Sequence, residues 1–140
     1  MATRPEAQIA DLLMQKMSAF VHSPVLPVAW PFREFTPPVS GSWLEVFFLP
    51  NTVRSPYLDS ADESQHVGLM QVTVVTPQGR GPGLIPSLET AGAIVDHFNG
   101  AVLEGTGFKV KITSKPSVAS TIIDPPNLRT PVTVAWQAIV

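Results

Sequence analysis

The groups with which this 140-residue chain could do chemistry are three histidines, eleven carboxylates and one glycine-rich turn. His22, His66 and His97 are far apart in sequence. None has a second ligand at metal-binding spacing. Asp59, Asp62 and Glu63 lie close together and suggest a divalent cation. Their segment lacks the alternating ligands, central glycine and closing glutamate of an EF-hand loop, so it reads as an acidic arm. Gly79, Gly81 and Gly83 in TPQGRGPG follow a strand pattern and precede a helical one, the setting of a phosphate cradle. No G-x-x-x-x-G-K-[ST] is present, and the glycines read as turn residues that free the backbone. The chain has no cysteine. That removes disulfides, thiolate metal sites and thiol nucleophiles. There is also no G-x-S-x-G elbow. No catalytic, metal or cofactor-binding residue is assigned, and an enzyme is not expected.

The elements around these groups follow from periodicity. Pro5–Val21 predicts a helix, with Ile9, Leu12, Leu13, Met17 and Phe20 on one face and Thr3 as its cap. His22–Ser42 carries a proline every few residues, so it should wrap the domain in extended form, pinned by Val28, Trp30, Phe32 and Phe35. Ser42–Pro50 and His66–Pro77 predict two strands that are apolar on both faces, as in a sheet centre or an interface. The connection Asn51–Gln65 is roughly 15 residues, where hairpin loops usually take 2–5. It holds Tyr57, Leu58, Asp59, Asp62 and Glu63, the candidate subunit-contact arm. Arg54 and Arg80 are candidate interface charges.

Leu84–Asn99 predicts a second helix with the stripe Leu84, Leu88, Ala91, Val95 and Phe98, stopped by Asn99-Gly100. Phe108, Val110 and Ile112 alternate with Lys109, Lys111 and Thr113, a half-buried strand with a basic wet face. Ser117–Ile123 reads as a hairpin return across Lys115-Pro116, Asp124–Asn127 as a turn, and Pro131–Val140 as the last strand. The expected fold class is α+β: a mixed, mostly antiparallel sheet with two helices packed against it, in a single domain over 1–140.

Composition narrows the function classes. Charged residues make up only 14%, against roughly 25% in an average soluble domain. Such a surface suits a subunit with covered faces. The net charge is −2, and the nine Lys and Arg form no stripe, so there is no footprint for sequence-reading of nucleic acid. No apolar run approaches the roughly 18 residues of a membrane span, and the N-terminus has no signal-peptide core. A cytoplasmic site of synthesis is expected.

The order of elements, with VAWPFREFTPP at Val28–Pro38, SWLEVFFLPN at Ser42–Asn51, HVGLMQVTVVTPQGRG at His66–Gly81, IVDHFNGAVL at Ile94–Leu103 and PVTVAWQ at Pro131–Gln137, resembles the small tail-terminator proteins of long-tailed bacteriophages, the lambda-type tail-completion family. The likeness spans nearly the whole chain and contains no catalytic motif. It implies a virion protein that forms a ring, usually a hexamer, on the head-proximal end of the tail tube. Such a ring stops tube polymerisation and meets head-completion or connector proteins. DNA passes through its lumen without sequence recognition. The resemblance implies no cofactor, no catalytic residue and no membrane partner. Another neck, connector or tail-tube component shares this pattern. A monomeric binding domain with a pocket around Trp30 and Phe32 is the alternative from a different class.

Overall fold

A computed structural model of the chain describes residues 4–22, 25–54, 65–79 and 81–139, with backbone alone for 51–54. The elements in order are α1 (Pro5–Ser18), β1 (Val28–Ala29), β2 (Trp43–Arg54), β3 (Gln65–Pro77), α2 (Leu84–Phe98), β4 (Val102–Glu104), β5 (Lys109–Ile112), β6 (Ser117–Val118), β7 (Ile122–Asp124) and β8 (Asn127–Ile139). They form the expected α+β arrangement. The strand order is β1-β2-β3-β8-β5-β4, with β6 and β7 also on β8. Every pairing is antiparallel except β1 with β2.

The sheet is organised by two long strands of thirteen residues each, β3 and β8, paired in register from Gln65↔Ile139 to Pro77↔Asn127. Alternation sends Met70, Val72 and Val74 of β3 to one face, together with Val132, Val134 and Trp136 of β8. Leu44 and Val46 of β2 extend that face, and both helices pack on it through Ile9, Leu13 and Met17 of α1 and Ala91, Ile94 and Phe98 of α2.

Helix α1 keeps the predicted face but differs at both ends. Its N-cap is Arg4 in an extended conformation rather than Thr3, which lies outside the described residues. Pro5 opens the first turn without loss, because its absent N–H has no partner there in any case. The helix stops at Ser18, short of Val21: the Ala19 N–H is shared by the Gln15 and Lys16 carbonyls, and the Phe20 N–H turns in to Met17. These tightened bonds satisfy the last carbonyls and end the α pattern.

The C-terminal half also departs from expectation. β4 has no strong sequence signal and forms by pairing with β5. Ser117–Ile123 does not fold back on β5. Instead β5, β6 and β7 follow one another along the same edge of β8, at Ile112↔Trp136, Ser117↔Thr133 and Ile122↔Arg129. The last strand therefore begins at Asn127, before Pro131. Pro131 is tolerated inside a central strand for a geometric reason. Its carbonyl accepts from Ala119 N–H, so its nitrogen faces the β6–β7 side, where the ladder is already interrupted.

Gly68 fixes the register at the far end of the sheet. A Cβ there would lie 2.5 Å from Cζ2 of Trp136 and 2.7 Å from the Leu49 carbonyl oxygen. The indole of Trp136 fills that space and stacks on Phe48 at 5.4 Å. Gly68→Ala is expected to destabilise the protein by about 1–3 kcal/mol through overpacking, read as a lower urea midpoint with unchanged slope. A variant as stable as the parent would show that Trp136 does not hold this position.

Candidate functional site

The sequence-predicted groups do not converge. His22 Nε2 is 3.1 Å from Thr90 Oγ1, and His97 Nε2 is 2.6 Å from the Lys16 carbonyl oxygen. A carbonyl can only accept, so His97 carries its proton on Nε2. Both rings pack on Phe20, at 5.8 and 5.4 Å, and so tie the end of α1 to α2. His66 is buried in β3. Among the described residues no three His, Asp or Glu side chains are grouped to hold a metal ion. Tyr57, Leu58, Asp59, Asp62, Glu63 and Arg80 lie outside the described residues. Arg54 closes β2 opposite Gln65, and its side chain is likewise outside them. Gly79 and Gly83 have φ of 79° and 89°, the left-handed region that a turn glycine supplies.

What the fold builds instead is a set of surfaces, and the first comes from α2. The predicted stripe places Leu84 and Leu88 inside. In the structure both are exposed, with Ile85 67% exposed beside them, while Ser87 and Thr90 are buried. A run of hydroxyls explains the rotation. Ser87 Oγ donates to the Gly83 carbonyl at 2.8 Å. Its only proton is then used, so Thr76 Oγ1 donates to Ser87 at 2.7 Å. By the same logic Ser42 Oγ donates to Thr76 at 2.9 Å. Thr90 Oγ1 donates to Pro86 at 3.0 Å, which leaves it to accept from His22 Nε2. Each of these hydroxyls is satisfied, so burying this polar side carries little penalty. The apolar side of the first two turns is left facing out.

The second surface is the sheet face opposite the helices. Its lower part is closed. Phe35 lies on Trp43 at 6.3 Å, and Arg129 bridges Glu45 at 2.6 Å and Asp124 at 2.8 Å. The Glu45 hydrogen bond, first among the causes, raises the Arg129 pKa above its ordinary value. A raised pKa stabilises below the unfolded value and is lost only as pH climbs through the folded one, so this contribution is constant across neutral pH. The upper part is open: Phe47 is 48% and Leu49 46% exposed, and Leu69 stands opposite Leu49. Of the two readings of β2, cover on both faces by the chain's own described residues does not hold, and the interface reading is left.

The third surface is a groove of about 760 Å³ between α1, β2 and the turn after β1. Met14, Trp30, Phe32, Phe47 and Phe48 line it, with Asp11 and Arg33 at its rim. Phe32 is not pinned as predicted; it is fully exposed. It occupies the third position of a turn closed by Arg33 N–H to the Trp30 carbonyl at 3.3 Å, and its φ is 58°. That position favours glycine or asparagine, and a bulky residue there is strained by about 1–3 kcal/mol. Sequence reasoning missed the outward face of α2; it offered an interface as one reading of β2 and a pocket around Trp30 and Phe32 as an alternative, without the α1 and β2 residues that complete the groove. The proline-phenylalanine pair at Pro31-Phe32 was the one available signal for the turn.

Residues 8–136 match the family described as phage tail terminator protein. The chain belongs to the phage tail terminator family. Four chains of solved structures also match. One is 24% identical with a TM-score of 0.72, covering 92% of this chain and 94% of its own, a likeness that speaks for the fold. No curated protein sequence matches significantly.

Membership of the tail-terminator family gives the chain a structural role in a phage tail, as a virion component, and fits a non-enzymatic protein. Among the described residues no helix is long and apolar enough to cross a membrane.

Thr76→Val removes the middle hydroxyl of the Ser42–Thr76–Ser87 run while keeping its shape. The expected loss is about 1–3 kcal/mol, because Ser42 loses its acceptor and Ser87 a donor. Thermal unfolding followed by far-UV circular dichroism checks this. Glu45→Gln is expected to cost about 1–2 kcal/mol at neutral pH by weakening the Arg129 bridge, measured in the same way.

Proposed function

We propose that copies of this chain close into a ring on the head-proximal end of the tail tube. The ring ends tube polymerisation and offers the surface to which a head-completion or connector protein joins. The observation that carries this reading is the apolar surface of β2, β3 and α2 left uncovered by the described residues, in a member of a tail-terminator family. Surfaces of this kind, repeated on identical subunits, generate closed cyclic assemblies when contacts are head-to-tail.

In this reading the arm between β2 and β3 reaches the neighbouring copy, with Tyr57 and Leu58 as its apolar contact. Asp59, Asp62 and Glu63 face the lumen or its rim and repel a passing DNA backbone. Arg54 and Arg80 lie at the lumen or the subunit interface. DNA passes without sequence recognition, the tube protein sits on one side of the ring, and no cofactor takes part. Assembly takes place in the host cytoplasm.

Native mass spectrometry and negative-stain imaging, with and without tail tubes, test this. A closed ring of about six copies is expected. An open filament would identify a tube component instead. A protein that stays monomeric even on tube ends would overturn the reading. Deletion of Tyr57–Glu63 is expected to reduce ring yield, and normal rings without it would remove the arm from the assembly contact.

A further inference from the structure

We infer that the outward face of α2 is the element one copy inserts into the groove between α1 and β2 of the next. This rests on the self-assembly proposed above and goes further by naming the two surfaces. The first turns of α2 present Ile85 and Leu88 to solvent, one helical turn apart on one side. Gly92 continues the same side at the next turn. A Cβ built on Gly92 meets nothing within 4 Å. A glycine inside a helix costs about 1 kcal/mol against alanine, and no neighbour within the chain needs the space. A bare stretch of helix backbone that continues a side begun by two exposed aliphatics fits a closely approaching external element.

The chain carries a complementary concavity. The groove is bounded by Met14 on α1, Trp30 and Phe32 on the turn, and Phe47 on β2. Phe32 is held out at its mouth by a strained backbone and is fully open to solvent. No residue of α2 lines the groove, and Ile85, Leu88 and Phe32 are all left exposed in the fold, so a contact between ridge and groove joins two copies heterologously. Charge favours the same pairing. Arg33 and Asp11 share the groove rim, Asp11 already accepting from Gln15 Nε2 at 3.1 Å, and Glu89 follows Leu88 on the exposed side of α2. Neither Arg33 nor Glu89 takes part in an ion pair among the described residues. Bringing α2 to the groove offers each a partner.

The absence of cysteine makes the test direct. Phe32→Cys and Leu88→Cys are prepared as separate full-length proteins, mixed at high concentration and treated with a short bis-maleimide. The mixture is expected to give a cross-linked dimer carrying one copy of each, in several-fold excess over either homodimer. Arg33→Glu and Glu89→Arg, added singly on those backgrounds, should each lower that yield by about three- to fivefold, as for a lost exposed pair. Added together, one on each protein, they should restore it. Phe32→Gly suits the turn better than phenylalanine, so it should fold normally and yet assemble less. Wild-type rings that form while the 32–88 cross-link is absent would overturn this inference and leave the ring reading standing. A cross-link from the Phe32→Cys protein that appears only when tube protein is added would assign the groove to the tube and overturn it as well. A wild-type chain that does not assemble even on tube ends, together with cysteine variants that do not cross-link, would overturn both.

Discussion

The antiparallel ladder between β3 and β8 is the interaction on which the rest of the structure depends. It joins segments far apart in sequence, so it carries a large loop-closure cost, offset by thirteen paired positions on each strand. Once it forms, each strand has one edge left. That of β3 takes β2, and that of β8 takes β5, β6 and β7 in turn. The alternation along both strands provides the apolar floor on which α1 and α2 lie. A slip of one residue would turn that floor toward solvent. Gly68 opposes such a slip, because the Trp136 indole fits only where no Cβ stands.

The second constraint is polar. α2 is seated by Ser42, Thr76, Ser87 and Thr90, whose hydrogen bonds run in one direction to backbone carbonyls. These bonds set the rotation of the helix about its axis. Their consequence is that Leu84, Ile85 and Leu88 are surface residues. The same economy appears on the far side of the molecule, where Phe47, Leu49 and Phe32 are also exposed. Each exposed group is held by something rigid: a helix locked by hydroxyls, a long strand, or a strained turn. Rigid presentation lowers the ordering cost of a later contact. That is what the proposed assembly would require of its subunit.

Much of the architecture could be read without coordinates. Helical spacing in Ile9–Met17, alternation in Phe108–Thr113 and the apolar runs at Ser42–Pro50 and His66–Pro77 give the elements and the α+β class, because those patterns are local. The family could also be read, from the order of elements and the stretches from Val28–Pro38 to Pro131–Gln137. The arm residues Tyr57–Glu63 were legible as an unusual connection, and their role stays with the proposed assembly. The candidate surfaces were legible only in part: Trp30, Phe32 and the two-faced apolar strand pointed to two of them, but the exposed side of α2 did not show, since exposure depends on what fails to pack against a residue.

The sequence by itself determined which segments become helices and strands, that chemistry by thiols or a local metal motif is absent, and that the chain belongs with tail proteins. Only the tertiary structure decided which side of each element meets the core. In α2 two stripes overlap, one through Leu84 and Leu88 and one through Ser87 and Thr90. Hydrophobicity favours burying the first. The second is buried because Ser42, Thr76 and His22, distant in sequence, arrive beside it with matching donors and acceptors. Periodicity records that a face exists; the partners that choose the face are supplied by the fold.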